Sequence, residues 1–428
     1  MDTPQDSRRS FLKTSAFAGA SLAATGPNLL LGQAKGANSR LRVGIMGLGR
    51  GRAHIRGFLD VPNVEIAYLC DVDDNRLATG DSTLRESQES EAEKVTDFRR
   101  ILDDPEVDVL SVAAPNFWQT PAGILACRAG KDVYLEKPGS YDAHEAFRIA
   151  EVADETGRLV QLGTQRRSYP AMIEGVQKLR EGAIGRPLYV RCFYNSARAS
   201  IGKGEIAPPP PELNWEMWQG PVPEQPYKTN LVHYNWHWHW LYGGGELLNN
   251  GVHALDTARW AVGVDYPTRV TCTGGRYHFD DDQETPDTAV ATYEFDGLGI
   301  SWDGSSCHRR RPESHPFFTV YGEGGKMDFS TAAYTIYDIE GKEVEKNTDP
   351  PSDVPHFTNF ANAIREGEAL NMPISEGKIS ATLCHLGNIA YRTNGAVQVD
   401  PATGRLVDHP EGEKLWGRPE YRDGWGID

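Results

Sequence analysis

Cysteine and methionine are both scarce in this 428-residue chain, at six each. Cys70, Cys127, Cys192, Cys272, Cys307 and Cys384 are scattered without a C-x-x-C pair, so their spacing implies neither a metal site nor a disulfide framework. Export of the chain would leave room for one or two bridges. Basic charge is in deficit as well. With 44 Lys and Arg against 60 Asp and Glu, the formal net charge is −16; this disfavours nucleic acid or an anionic membrane as partner, and no basic stripe offsets it. Long apolar runs are missing too: the mildly apolar stretch from Ala16 to Leu31 is broken by Gly26, Pro27 and Asn28 and makes a poor membrane span. What is present, 39% hydrophobic and 24% charged residues, describes a globular chain long enough for two or three domains.

Ser7-Arg8-Arg9-Ser10-Phe11-Leu12-Lys13 resembles a twin-arginine export signal, and small residues near Ala34 to Ala37 suit a cleavage site. We expect residues 1–37 to be a targeting segment, and the mature protein to be periplasmic or otherwise exported by that route, without a membrane span. Twin-arginine export carries folded proteins, often with a cofactor already inside.

From Arg42 the chain alternates apolar strands with helices. Val43 to Met46 reads as a strand, followed at once by Gly47-x-Gly49, Arg50 and Gly51 at the start of a helix. Backbone N–H groups at such a helix start can hold a pyrophosphate. The third glycine of the dinucleotide motif is absent, with Arg52 in its place. A second strand, Val64 to Leu69, ends at Asp71, where a carboxylate binds ribose hydroxyls and repels a 2′-phosphate. This favours NAD over NADP, although Arg76 nearby suits the latter. Asp71 also reads as a helix N-cap. Further strands are expected at Val107–Ala113, Val133–Leu135 and Leu159–Leu162, with helices between, so residues 38–163 form a Rossmann-type, doubly wound parallel sheet. Asn116 and Lys137 both follow such strands and sit at the edge where ligands bind, Asn116 either facing the nicotinamide of a cofactor or capping the next helix. Pro138 removes a backbone donor and biases Lys137 toward extended geometry. Glu136 is expected at the cofactor site, or else as an ion-pair partner for Lys137.

After Gln165 and Arg166 the pattern changes to alternating runs at Leu188–Tyr194, Arg269–Thr273, Thr288–Phe295, Gly299–Trp302 and Phe317–Tyr321, which predict an α+β second domain over 164–395. Residues 396–428 read as an extended arm anchored by Trp416, Tyr421 and Trp425. His233 to Tyr242, HYNWHWHWLY, is the densest chemistry. If extended, it puts His237 and His239 on one face, open to three readings: metal ligation, packing, or, with Trp238, a wall that stacks on sugar faces. No carboxylate or cysteine joins them locally, and no metal is expected. On the following helix Asn249, His253 and Asp256 share a face. His253 is the natural general acid–base, or else a satisfied interface histidine.

Gly47-Leu48-Gly49, Pro115-Asn116, Glu136-Lys137-Pro138, Gly163-Thr164-Gln165-Arg166 and Gly243-Gly244-Gly245 through Asn249-x-Gly251-x-His253-x-x-Asp256, in this order, resemble the Gfo/Idh/MocA oxidoreductases from Arg42 to about Gly395. The resemblance implies a Rossmann domain, a C-terminal domain with a large open, mostly antiparallel sheet that serves as a homo-oligomer interface, and hydride transfer at a sugar or polyol carbon. It implies Lys137 as the group bonded to the reacting hydroxyl and His253 as proton acceptor, on the helix face that also carries Asn249 and Asp256; Gln165 and Arg166, with His237 and Trp238 of the aromatic stretch, are expected toward substrate. Asn249 stands where the family commonly has Asp, which makes His253 a weaker base. Export implies a tightly bound NAD, because free NAD is scarce outside the cytoplasm. Two alternatives stay open: a redox-neutral glycosidase acting through a transient keto-sugar, and a sugar-binding protein with a vestigial cofactor site.

Overall fold

The computed structural model describes residues 39–428 except 309, 311 and 312; the twin-arginine-like segment lies outside them. The first sheet has six parallel strands in the order β3-β2-β1-β4-β5-β6. They are β1 (Leu41–Met46), β2 (Val64–Cys70), β3 (Glu93–Val95), β4 (Val109–Val112), β5 (Asp132–Leu135) and β6 (Val160–Leu162). The connecting helices are α1 (Gly51–Leu59), α2 (Asp74–Leu84), α3 (Arg99–Leu102), α4 (Asn116–Arg128) and α5 (Ala143–Thr156). Helices cover both faces of such a sheet, so its central strands are apolar without alternation: every residue of β4 is buried. The strand order reverses between β1 and β4, the switch point where doubly wound folds bind ligands.

The second sheet is mixed, with ten strands in the order β14-β13-β12-β11-β7-β10-β9-β8-β15-β16, among them β8 (Arg269–Gly275), β11 (Phe318–Gly322), β12 (Gly325–Ser330), β13 (Ala333–Asp338) and β14 (Glu343–Thr348). Only β7 (Pro187–Asn195) and β10 (Leu298–Ser305) pair in parallel; the remaining pairings are antiparallel. The helices α6 (Pro170–Arg180), α8 (Val252–Val262) and α10 (Ile374–Arg392) carry apolar residues into the same core as the sheet, which explains the half-buried alternation of β9 (Thr288–Phe295). The short helix α7 (Trp215–Gln219) belongs to a long excursion between β7 and α8. Strands at 325–348 and helix α9 (Val354–Glu366) complete the chain before α10.

Two segments return to the first sheet. In α9, Phe357 stacks on Tyr134 at 4.6 Å, and Arg365 donates to the carbonyls of Ser39, Pro62 and Asn63. The stretch expected to run as an arm starts with β15 (Ala396–Val399) and β16 (Leu406–Val407), which extend the ten-stranded sheet. Its end then packs Trp425 against Phe98 and Trp118. All six cysteines are buried and free.

Candidate active site

A cleft of about 580 Å³ follows the carboxyl edge of the six-stranded sheet. At one end lies the turn after β1. Gly47 has φ +86°, and a Cβ there would sit 2.8 Å from the backbone of Ala113 and Ala114, so only glycine lets this turn rest on the end of β4. Gly49 faces the guanidinium of Arg76. Gly51 is buried, and a Cβ there would come within 2.8 Å of Ile45, whereas Arg52 is exposed. The close helix–strand approach that the third motif glycine usually permits is thus met by Gly51, one position earlier. Helix α1 begins without a side-chain cap, so its first N–H groups suit a ligand's phosphate oxygens.

Asp71 stands at the end of β2 and accepts from the amides of Leu48 (2.7 Å) and Asp73 (3.1 Å). Burial pushes its carboxyl up, against these two bonds and the Arg76 charge. The cap of α2 is Asp73, whose side chain accepts from Arg76 N; Asp71 is therefore left at the cleft wall. The glycine turn, the uncapped helix start and Asp71 together fit a dinucleotide.

Lys137 occupies the other end. Its Nζ donates to the Asn249 carbonyl at 2.6 Å and to Asn249 Oδ1 at 2.9 Å. Asn249 lies in a π-helical turn, Leu247–Gly251, ahead of α8, a widened turn of the kind found at functional sites. Burial lowers the pKa of Lys137, with Glu136 opposing. Glu136 is itself buried. Desolvation would raise its carboxyl, but His54 (3.2 Å) and Arg50 (2.9 Å) hold it below the usual range. Arg50, expected at the cofactor, also reaches Asp353 at 3.1 Å, so it braces the wall between the two ends.

His253 lines the cleft, and its Nδ1 is buried without a hydrogen-bond partner. Burial, Arg166 and Lys137 push its pKa well down, so the ring is neutral. Gln165, Arg166, Asn116 and His237 line the cleft with it. His237 stacks on Trp236 at 3.6 Å, and its Nδ1 pairs with the Tyr234 carbonyl; burial draws its pKa to about 3.

Two expected site residues lie elsewhere. Asp256 is fully buried away from the cleft: it takes Arg167 on both oxygens and Ser380 at 2.6 Å. One turn beyond His253 on α8, it is covered by α10. Trp238 is fully buried beneath Arg198, 4.0 Å from its ring. The segment coils into a 3₁₀ turn at Asn235–Trp238 instead of extending, so His237 faces the cleft while His239 turns to Glu284. Further residues join the site through contacts that local sequence does not announce. Gln119 donates to the carbonyls of Ala114 and Lys137 and accepts from Gly139 N, fixing the turn that holds Lys137. Trp218, Tyr169 and Asp353 line the cleft from distant segments, as does His233 from the HYNWHWHWLY stretch. Among the described residues no group of three or more His, Cys, Asp or Glu is placed to hold a metal ion.

Comparison with known proteins places this geometry. A glycosyl hydrolase family 109 protein of Saccharopolyspora erythraea is 30% identical over 204 residues, covering 43% of this chain and 44% of its own length; the chain thus spans under half of that relative. A scyllo-inositol 2-dehydrogenase (NAD(+)) of Bacillus subtilis is 23% identical over 373 residues, 84% of this chain and 97% of its own. A levoglucosan dehydrogenase structure in complex with NADH shares the fold with a TM-score of 0.68 at 18% identity, over 84% of this chain and 99% of that one. Residues 41–164 match the model described as oxidoreductase family, NAD-binding Rossmann fold, and residues 171–427 match the oxidoreductase family C-terminal alpha/beta domain. The chain belongs to the Gfo/Idh/MocA family of oxidoreductases.

Proposed function

We propose that this protein is an exported NAD-dependent oxidoreductase that oxidises a secondary hydroxyl of a sugar, glycoside or polyol, taking hydride from the carbon that bears it. The observation that carries the reading is the placement of Lys137 and His253 together at one end of a cleft whose other end holds the glycine turn and Asp71. The inositol dehydrogenase relative supports the substrate class. Bound NAD would supply the hydride acceptor, held by the Gly47–Gly51 turn, Asp71 and Asn116. Asn249 takes two N–H groups of Lys137, which leaves the third position on Nζ, an N–H when charged and a lone pair when neutral, for the reacting hydroxyl. Burial biases both Lys137 and His253 toward their neutral forms, in which either accepts the hydroxyl proton. Arg50, His54 and Gln119 position Lys137 through Glu136 and the Lys137–Gly139 turn. The ten-stranded sheet serves as the homo-oligomer interface, and export accounts for a cofactor that stays bound.

A redox-neutral glycosidase, in which a transient ketone acidifies the neighbouring C–H, is the second reading, favoured by the glycosyl hydrolase family 109 relative. A binding protein with a vestigial site loses its main support, because Gly51 takes over the role of the missing glycine. Purified protein should release NAD on denaturation or bind it when added; a protein that does neither refutes both enzyme readings. With a glycoside, lasting nicotinamide reduction marks net oxidation, and aglycone release without it marks the glycosidase.

A further inference from the structure

Arg166 and Arg167 are neighbours in sequence with opposite surroundings. Arg167 is enclosed, with Asp256 at 2.7 Å and Glu376 at 3.3 Å. Arg166 lines the cleft beside Lys137 and His253, with its guanidinium 4.1 Å from the centre of the Phe317 ring. Its Nε is buried without a partner, and among the described residues its guanidinium has no ion pair. The nearby acids are committed elsewhere. Asp353 accepts from Arg50 and from the Tyr169 hydroxyl. Asp256 holds Arg167 and Ser380, Glu136 holds Arg50 and His54, and Glu246 accepts from Asn250 at 2.6 Å.

The other basic side chain at this end, Lys137, hydrogen-bonds to the uncharged acceptors of Asn249. Arg166 thus faces the reactive end of the cleft with no carboxylate of the described residues at ion-pair distance, in a chain whose formal net charge is −16. A guanidinium stripped of water and left without a counter-ion is costly, and a ligand entering the cleft removes the remaining water. The fork of an arginine matches a carboxylate with two parallel bonds, and its plane is held here by the aromatic face of Phe317.

Building on the dehydrogenase reading, we propose that the substrate brings the missing charge: it is a sugar or polyol bearing a carboxylate, a uronate or an aldonate, and Arg166 anchors that group while Lys137 and His253 address the hydroxyl. Arg166 is then the specificity-determining residue.

The test compares hydride transfer from glucuronate and galacturonate with that from glucose, galactose and glucose 6-phosphate, in wild type and in Arg166→Gln and Arg166→Lys, at low and high salt. Uronates should be the better substrates, with a preference that weakens in salt. Arg166→Gln should lower their kcat/KM roughly 100-fold, mainly through KM, as expected for losing a buried charge partner. Arg166→Lys should restore part of it. A preference for neutral sugars or for the phosphate ester, or an equal loss on every sugar in Arg166→Gln, overturns the proposal. If no sugar transfers hydride but uronate binding measured by calorimetry depends on Arg166, the carboxylate site stands and the dehydrogenase reading falls.

Discussion

Lys137 is held by three stretches far apart in the chain: the end of β5, the side chain of Gln119 on α4, and the π turn around Asn249. Its place at a strand's carboxyl edge was readable from Tyr134-Leu135-Glu136-Lys137-Pro138. The partner was not, because a π turn leaves no mark on the hydrophobic period and because Asn249 reads as a companion of His253. The bonds of Gln119 were equally unreadable, because they go to backbone atoms, which have no residue identity. Lys137→Ala should lower turnover roughly 100-fold or more with little change in NAD binding by calorimetry; unchanged turnover removes it from the chemistry. Gln119→Leu should act through position. It removes three bonds, each worth about 1 kcal/mol, and leaves buried backbone groups unpaired, so kcat should fall about tenfold while NAD affinity holds. An equal loss in both would mean that the substitution disturbs the whole cleft.

Elements with a strong period were legible, and those set by distant contacts were not. The βαβ rhythm gave five strands of the six-stranded sheet, since each of those is a largely apolar run between helices; β3, a mostly exposed Glu-Lys-Val at the sheet edge, has no such run. Strand β9 alternates cleanly and was read with its observed ends, Thr288–Phe295. By contrast, HYNWHWHWLY has a strand-like alternation yet forms a 3₁₀ turn, because Trp236 and Trp238 each find a buried site on a different side. The last segment was expected to be an arm with aromatic anchors; Trp416, Tyr421 and Trp425 do anchor it, but its start joins a sheet through long-range pairing that no local pattern announces. What fastens its end is Arg418, whose side chain is buried against Glu145 at 2.7 Å and whose backbone amide donates to Asp142. Removing one partner of such a pair leaves the other charge buried alone. Arg418→Ala should therefore cost about 3–5 kcal/mol in urea unfolding, whereas Lys414→Ala, which breaks an exposed pair with Glu411, should cost under about 1 kcal/mol. Equal shifts would show that the arm is not fastened there.

At the scale of the molecule, histidines buried in the neutral form set how the fold responds to acid. His356 on α9 is fully buried between Ser168 and the Leu162 carbonyl, where α9 meets the end of β6, and burial draws its pKa to about 4. His385 on α10 is buried beside Ser140, and burial draws it to about 3. Both shifts are downward from 6.5, so the unfolded chain takes up protons below that value while the folded chain does not. Stability should thus be insensitive to these two groups above pH 6.5 and should fall as pH drops from there toward 4, by roughly 1.4 kcal/mol per pH unit for each histidine. Glu136 adds to the loss only at lower pH, because its folded carboxyl lies below the ordinary range and its stabilisation disappears as it protonates. Urea midpoints of wild type and His385→Gln between pH 7 and 4.5 separate the contributions. The variant should lose one histidine's share of the slope, roughly 1.4 kcal/mol per pH unit, in the window above 4.5. A wild type that gains stability toward pH 5, or a variant whose slope matches it, would show that these rings take up protons inside the fold.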